Sequence, residues 1–148
     1  MRLLAYAKDG RNGVAIATEN GEWRGALAGE AHHPGTIAEL VATGTLEKAK
    51  SLLNAGPVSL DEVTVLPPLP NPGKIVCLGL NYSDHATESG FEAPPFPTVF
   101  ARFPSSLIGA YDPIVKPSVS DALDWEAELV AVIGKGGRHI SKADALSH

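Results

Sequence analysis

The sequence predicts an α+β fold that is mainly β, and three observations carry that prediction. Short apolar runs rich in Val, Ile and aromatic residues recur along the chain, too brief for ordinary helices. Turn-forming residues separate them: 15 glycines and 12 prolines stand among 148 residues, a density that suits many short strands. Only a few stretches carry helical periodicity, and each has its own start and stop signals.

Residues 2–6 (RLLAY) and 13–17 (GVAIA) flank the turn-rich KDGRN, and together they read as a β-hairpin. Residues 22–28 supply a third strand. Thr36 precedes IAELV with Glu39 at the position that closes a capping box, so a short helix starts there and Gly44 ends it. Thr45 opens TLEKAKSLLNAG, in which Leu46, Ala49, Leu52 and Leu53 share one helical face before Gly56-Pro57 stops it. A short strand follows at 63–66. The stretch PPLPNPG, residues 67–73, excludes helix and central strand and reads as a linker. It separates a small N-terminal β/α domain, residues 1–66, from the start of a larger domain, residues 74–148.

In that second part, KIVCLG (74–79) predicts a buried strand and NYSDHATES (81–89) a short helix with Asn81 as its cap. FEAPPFP is extended, TVFARF (98–103) is a strand, and DPIVKPS holds another. DWEAELVAVIG (124–134) carries the clearest strand pattern, alternating at first and then continuously apolar. Residues 142–147 begin a helix. No internal repeat is present.

Bulk composition excludes several function classes. Hydrophobic residues make up 44% and charged residues 20%, ordinary for a globular chain that buries a core. The net charge of −5 gives no field for holding nucleic acid or an anionic membrane. One cysteine, Cys77, leaves no internal disulfide. No apolar run approaches the ~18 residues of a membrane span, and the N-terminus starts like a strand rather than a signal peptide. A cytoplasmic location is the expectation.

Two constellations carry chemistry. Asp124, Glu126 and Glu128 alternate with Trp125, Ala127 and Leu129, so a strand there puts the carboxylates on one side. Like charges at the mouth of a buried strand need a counter-charge, and a hard divalent cation with oxygen ligands is one answer. Taken alone, a short E-x-E is more often a solvated face. His85 and Glu88 stand at helical i, i+3 spacing, where a carboxylate orients an imidazole for general-base work. Taken alone, that pair is more often a surface contact. The remaining histidines, 32, 33, 139 and 148, read as solvated, and Cys77 reads as a core residue.

The combination is more specific than its parts. KIVCLGLNYSDHATESG, PPFPTVFARFPSSLIG and DPIVKPSVSDALDWEAELVAVIGKGGRHIS occur in this order, and together they resemble the fumarylacetoacetate hydrolase family. The resemblance covers residues 73–148, and residues 1–66 resemble the small N-terminal domain of many bacterial members. It implies a mixed β-roll, of which 74–148 is the first part. It further implies a Mg²⁺-type site (Mg²⁺, or Mn²⁺ or Ca²⁺) with Glu126 and Glu128 as ligands. His85 and Glu88 would activate water, and Arg102 would lie near the substrate. The implied activity is a metal-dependent hydrolase of C–C bonds in small 2-oxo acids or 1,3-dicarbonyl compounds, within aromatic-compound catabolism and as a homodimer. Alternatives within the resemblance are an isomerase or decarboxylase, such as a 2-hydroxyhepta-2,4-diene-1,7-dioate isomerase. Two departures from the pattern stand out. Leu80 occupies a position where many members have Arg, and the sequence stops at ALSH, before the aspartate that serves as third metal ligand. A truncated and inactive fragment is therefore also an expectation.

Overall fold

A computed structural model describes residues 1–88, 90 and 94–148, the side chains of His85, Ala86 and Glu88 excepted. The backbone clusters into two units: Met1–Pro68 with Gly109–His148, and Leu69–Ile108. The fold is α+β and mainly β, as the sequence predicts.

The first unit is built on five strands: β1 (Leu3–Lys8), β2 (Arg11–Ala17), β3 (Trp23–Leu27), β4 (Gly56–Val58) and β5 (Thr64–Leu66). They form one sheet in the order β4-β3-β2-β1-β5, and every pairing is antiparallel. The hairpin β1–β2 closes at the pair Lys8↔Arg11. Its two loop residues, Asp9 and Gly10, have φ of 50° and 73°. Positive φ at both positions is the type I′ geometry that matches the twist of the flanking strands, and Asp-Gly is a preferred pair for it. The register then sets Tyr6 opposite Gly13. Tyr6 is only 3% exposed, and a Cβ on Gly13 would lie 2.5 Å from its ring carbon Cζ. The glycine therefore makes room for a buried aromatic ring on the central strand pair.

Consecutive 3-10 turns over Leu46–Asn54 lie against β2 and β3, and α1 (Ile37–Ala42) packs on those turns. Thr36 caps α1 as expected: its Oγ1 accepts from the Glu39 N–H at 3.2 Å, and Glu39 Oε2 accepts from the Thr36 N–H at 2.7 Å. The core is small and apolar: Ile37, Leu40, Ala49 and Leu52 are buried in the covering layer, Val14, Ile16 and Ala26 on one face of the sheet, and Tyr6, Ala15 and Val65 on the other.

The stretch 46–54 differs from the α-helix predicted for it. At three residues per turn, positions i and i+3 eclipse, so the buried row is Ala49 and Leu52. Leu53 leaves that face and is 43% exposed. The stretch 142–147 forms a single 3-10 turn, Ala145–Ser147. Ser141 Oγ donates to Asp144 Oδ2 at 2.6 Å and accepts from the Asp144 N–H at 3.2 Å. Such local side-chain bonds compete with the helical ladder.

The largest departure concerns 112–134. Neither DPIVKPS nor DWEAELVAVIG forms a strand, and nearly all of this tract is exposed. Trp125, Leu129 and Val130 are 79%, 90% and 79% exposed. Alternation says which side chains share a face, but a strand also needs a neighbour to pair with. Among the described residues no strand pairs with this tract. The chain enters it past Gly109, where a Cβ would stand 2.1 Å from the carbonyl oxygen of Val65, so only glycine fits against the edge of β5. Gly109 N–H donates to Asp112 Oδ2 at 2.7 Å and closes a turn there.

The second unit holds β6 (Ile75–Gly79), α2 (Ser83–Glu88) and β7 (Thr98–Arg102). β6 and β7 pair antiparallel, Ile75↔Arg102 through Gly79↔Thr98. β6 is half-buried at alternate positions rather than fully buried. A two-stranded ribbon has no inner strand position.

Candidate functional site

The catalytic candidates begin at the C-terminal end of β6. Leu80, directly after Gly79, has φ of 54°. A branched residue in the left-handed region is strained by ~1–2 kcal/mol. The strain sits at the turn that leads from β6 through Asn81 and Tyr82 into α2. Inside α2, Thr87 Oγ1 donates to the Ser83 carbonyl at 2.9 Å, closing a turn of the helix with a side chain. His85 and Glu88 both belong to α2, at the spacing that the sequence predicts to be helical. Their side chains lie outside the described residues, so the pairing of imidazole and carboxylate is a proposal.

Arg102 ends β7 and is exposed. Its guanidinium carbon stands 5.8 Å from the centroid of the Phe100 ring, within cation–π range. Phe100 and Arg102 are two apart on a strand and share one face with their partners Cys77 and Ile75. The signal for this contact was present in TVFARF as an aromatic two positions before a cation. The register also fixes where Arg102 stands. It opposes the first residue of β6, at the end of the ribbon away from the Leu80 turn, about 13 Å along the strand direction.

Asp124, Glu126 and Glu128 belong to the first unit and are exposed. Asp124 Oδ1 accepts from the Trp125 N–H at 2.8 Å. Glu126 and Glu128 offer carboxylate oxygens, the donor chemistry that hard divalent cations prefer. Among the described residues, no three His, Cys, Asp or Glu side chains converge on one point. Two carboxylates fit as part of an oxygen shell, with the rest left to water or substrate oxygens. The candidate residues thus divide: His85, Glu88 and Arg102 in one unit, the two glutamates in the other.

The histidines set aside by sequence have local structural surroundings. His33 Nδ1 accepts from the Gly35 N–H at 3.3 Å, and the His32 carbonyl accepts from Ser51 Oγ at 2.7 Å. His148 Nδ1 lies 2.9 Å from the Lys135 carbonyl oxygen.

Comparison with known proteins places these residues in context. Residues 74–148, which contain all five candidates, match the family model described as fumarylacetoacetate (FAA) hydrolase C-terminal. The human mitochondrial oxaloacetate tautomerase FAHD2A is 38% identical over 100% of this chain and 49% of its own length. The frog (Xenopus laevis) mitochondrial oxaloacetate tautomerase is 44% identical over 70% of this chain and 33% of its own length. A crystal structure assigned to an HpcE protein of Mycobacterium smegmatis is similar with a TM-score of 0.55 at 25% identity. It covers 79% of this chain and 41% of that one. The chain spans about half the length of the curated relatives it matches over its whole extent. No helix among the described residues is long and apolar enough to cross a membrane.

Proposed function

The chain belongs to the fumarylacetoacetate hydrolase family, and on that premise we propose that it acts as a divalent-metal-dependent hydrolase of C–C bonds in small 2-oxo acids or 1,3-dicarbonyl compounds. The observation that carries the proposal is the match of 74–148 to the family model, because that one stretch holds His85, Glu88, Arg102, Glu126 and Glu128 together. Glu126 and Glu128 would hold the cation, Mg²⁺ or alternatively Mn²⁺ or Ca²⁺. When bound, such a cation supplies Lewis acidity toward substrate oxygens.

The remaining work falls to the chain's own groups. His85 takes a proton from water at an imidazole nitrogen, and Glu88 positions the ring and favours the imidazolium that results. Arg102 binds a substrate carboxylate, a role for which a planar guanidinium is suited. Its stacking on Phe100 restricts the side chain in advance. Leu80 supplies no charge at its edge of the site, so recognition there is apolar. Homodimer formation and a cytoplasmic setting are part of the proposal; the human relatives are mitochondrial by name.

A second reading has its own support. Relatives that match the chain are named oxaloacetate tautomerases. Moving a proton between carbon and oxygen of a 2-oxo acid needs the same base and the same cation, with no water attack. An isomerase or decarboxylase reading therefore uses the same residues.

The experiment that tests both readings is a paired assay of the 148-residue chain with and without Mg²⁺. Acylpyruvate cleavage reports the hydrolase and enol–keto exchange of oxaloacetate reports the tautomerase. His85→Gln is expected to lower turnover by about 10²–10⁴-fold while Mg²⁺ binding by calorimetry stays unchanged. Glu126→Gln is expected to weaken Mg²⁺ binding itself. Turnover that persists in excess chelator would sink the metal role, and full activity of the His85 variant would sink the base.

A further inference from the structure

The dipeptide Asn-Gly occurs twice in the first unit, at Asn12-Gly13 and at Asn20-Gly21. Glycine has no Cβ, so its nitrogen is the least hindered backbone nitrogen that an asparagine side chain can meet. Both asparagines are exposed, so access to water does not separate them. Their backbones do. Asn12-Gly13 lies inside β2. The Ala17 N–H donates to the Arg2 carbonyl, and from there the antiparallel alternation makes Tyr6 and Gly13 a hydrogen-bonded pair. The Gly13 N–H thus donates to the Tyr6 carbonyl, while the Ala28 N–H donates to the Asn12 carbonyl at 2.8 Å. The peptide that joins Asn12 to Gly13 is held at its nitrogen from one side and at its oxygen from the other. Asn20-Gly21 lies instead in the turn between β2 and β3. Gly21 has φ of 86°, and its N–H donates to the Thr18 carbonyl at 3.0 Å. Among the described residues, that is the one backbone hydrogen bond on the peptide joining Asn20 to Gly21.

We propose that Asn20 is a site of spontaneous isoaspartate formation and that the sheet shields Asn12 from the same reaction. The Gly21 nitrogen gives up its proton and bonds to Cγ of Asn20, closing a succinimide ring. The side-chain nitrogen takes a proton and leaves as ammonia. Water then opens the ring. Attack at the former backbone carbonyl breaks its bond to the Gly21 nitrogen and leaves the chain running through Cγ, an isoaspartate. Attack at Cγ leaves an ordinary aspartate. One water is consumed and one ammonia released, with no oxidant or reductant. Ring closure requires the peptide to rotate about the Cα–C bond of the asparagine. At Asn20 that rotation breaks one bond within a turn, whereas at Asn12 it must tear the ladder on both sides of β2. The product places a new carboxylate between Glu19 and Glu22 and adds a backbone carbon to the turn that sets the β2–β3 register. It therefore loosens the hairpin at its Ala17↔Trp23 end.

The inference is independent of the proposed activity. The folded 148-residue chain, incubated in mildly alkaline buffer and digested with trypsin, yields both sites on the one peptide 12–24 between Arg11 and Arg24. Fragment masses locate each exchange of amide for carboxyl, and chromatography separates isoaspartyl from aspartyl forms. Conversion at Asn20 is expected to exceed that at Asn12 by at least about tenfold, with isoaspartate among its products. In urea, Asn12 should rise to the rate of Asn20, because the ladder that shields it is gone. Asn20→Gln should abolish the change at 20 in the folded chain and leave Asn12 shielded. Equal conversion at both sites of the folded chain would overturn the shielding. An Asn20 that stays intact in the folded chain while the urea-unfolded chain converts would overturn the site, and aspartate without isoaspartate would overturn the cyclic route.

Discussion

At the scale of single residues, the capping box at Thr36 shows how a short motif becomes a measurable energy. Glu39 accepts the Thr36 backbone N–H and then its hydroxyl, and these bonds hold its carboxyl below the ordinary carboxylate value of 4.5. A carboxyl with a depressed folded value stabilises the fold above its unfolded value. That contribution is lost as pH falls through the folded value. Thr36→Ala removes the cap and is expected to cost about 1 kcal/mol at neutral pH by urea denaturation. The cost should shrink as pH drops below 4.5, where Glu39 of the parent chain itself begins to release its bond. A cost that is flat with pH would mean that the bond from the Thr36 hydroxyl to Glu39 contributes nothing, because the backbone N–H at 36 still reaches that carboxylate in the variant. Thr36 and Glu39 were legible because both halves of the box are local in sequence. Leu80 was not: nothing in LGLNY announces a branched residue at φ of 54°. Its conformation is imposed by the need to turn from β6 into α2.

At the scale of elements, legibility follows the range of the interactions that decide the structure. The hairpin was readable because Asp9-Gly10 fixes its turn and the turn fixes the register. The stretch 46–54 was readable as helical but not as 3-10, because Leu46, Ala49, Leu52 and Leu53 suit a 3.6-residue period and only packing decides which row is buried. That choice is testable. Leu52 is fully buried, whereas Leu53 is 43% exposed. Leu52→Ala is expected to cost about 2–5 kcal/mol, and Leu53→Ala only about 0.5 kcal/mol or less. An α-helical face would make the two costs similar. The tract 124–134 marks the limit of periodicity. Its alternation reads as a strand, and no strand forms there: a strand is defined by its neighbour, and no pattern within one segment names that neighbour. The same limit applies to the candidate site. The residue types and spacing of His85, Glu88, Glu126 and Glu128 were visible, but convergence depends on contacts distant in sequence.

At the scale of the whole molecule, the two units differ in how much holds them. The Met1–Pro68 part of the first unit has five paired strands and nearly all of the buried apolar residues. Among the described residues, the Leu69–Ile108 unit has a two-stranded ribbon, one short α-helix and a 3-10 turn, and its apolar residues Val76, Val99 and Phe103 are 58%, 61% and 76% exposed. Local opening free energies track this difference, since buried contacts and interior ladders are what opening must break. Amide hydrogen exchange should therefore be slowest in β1, β2 and β3, faster in β6 and β7, and fastest across 113–133. The first group is expected to exceed the last by about 10³-fold or more at low protein concentration.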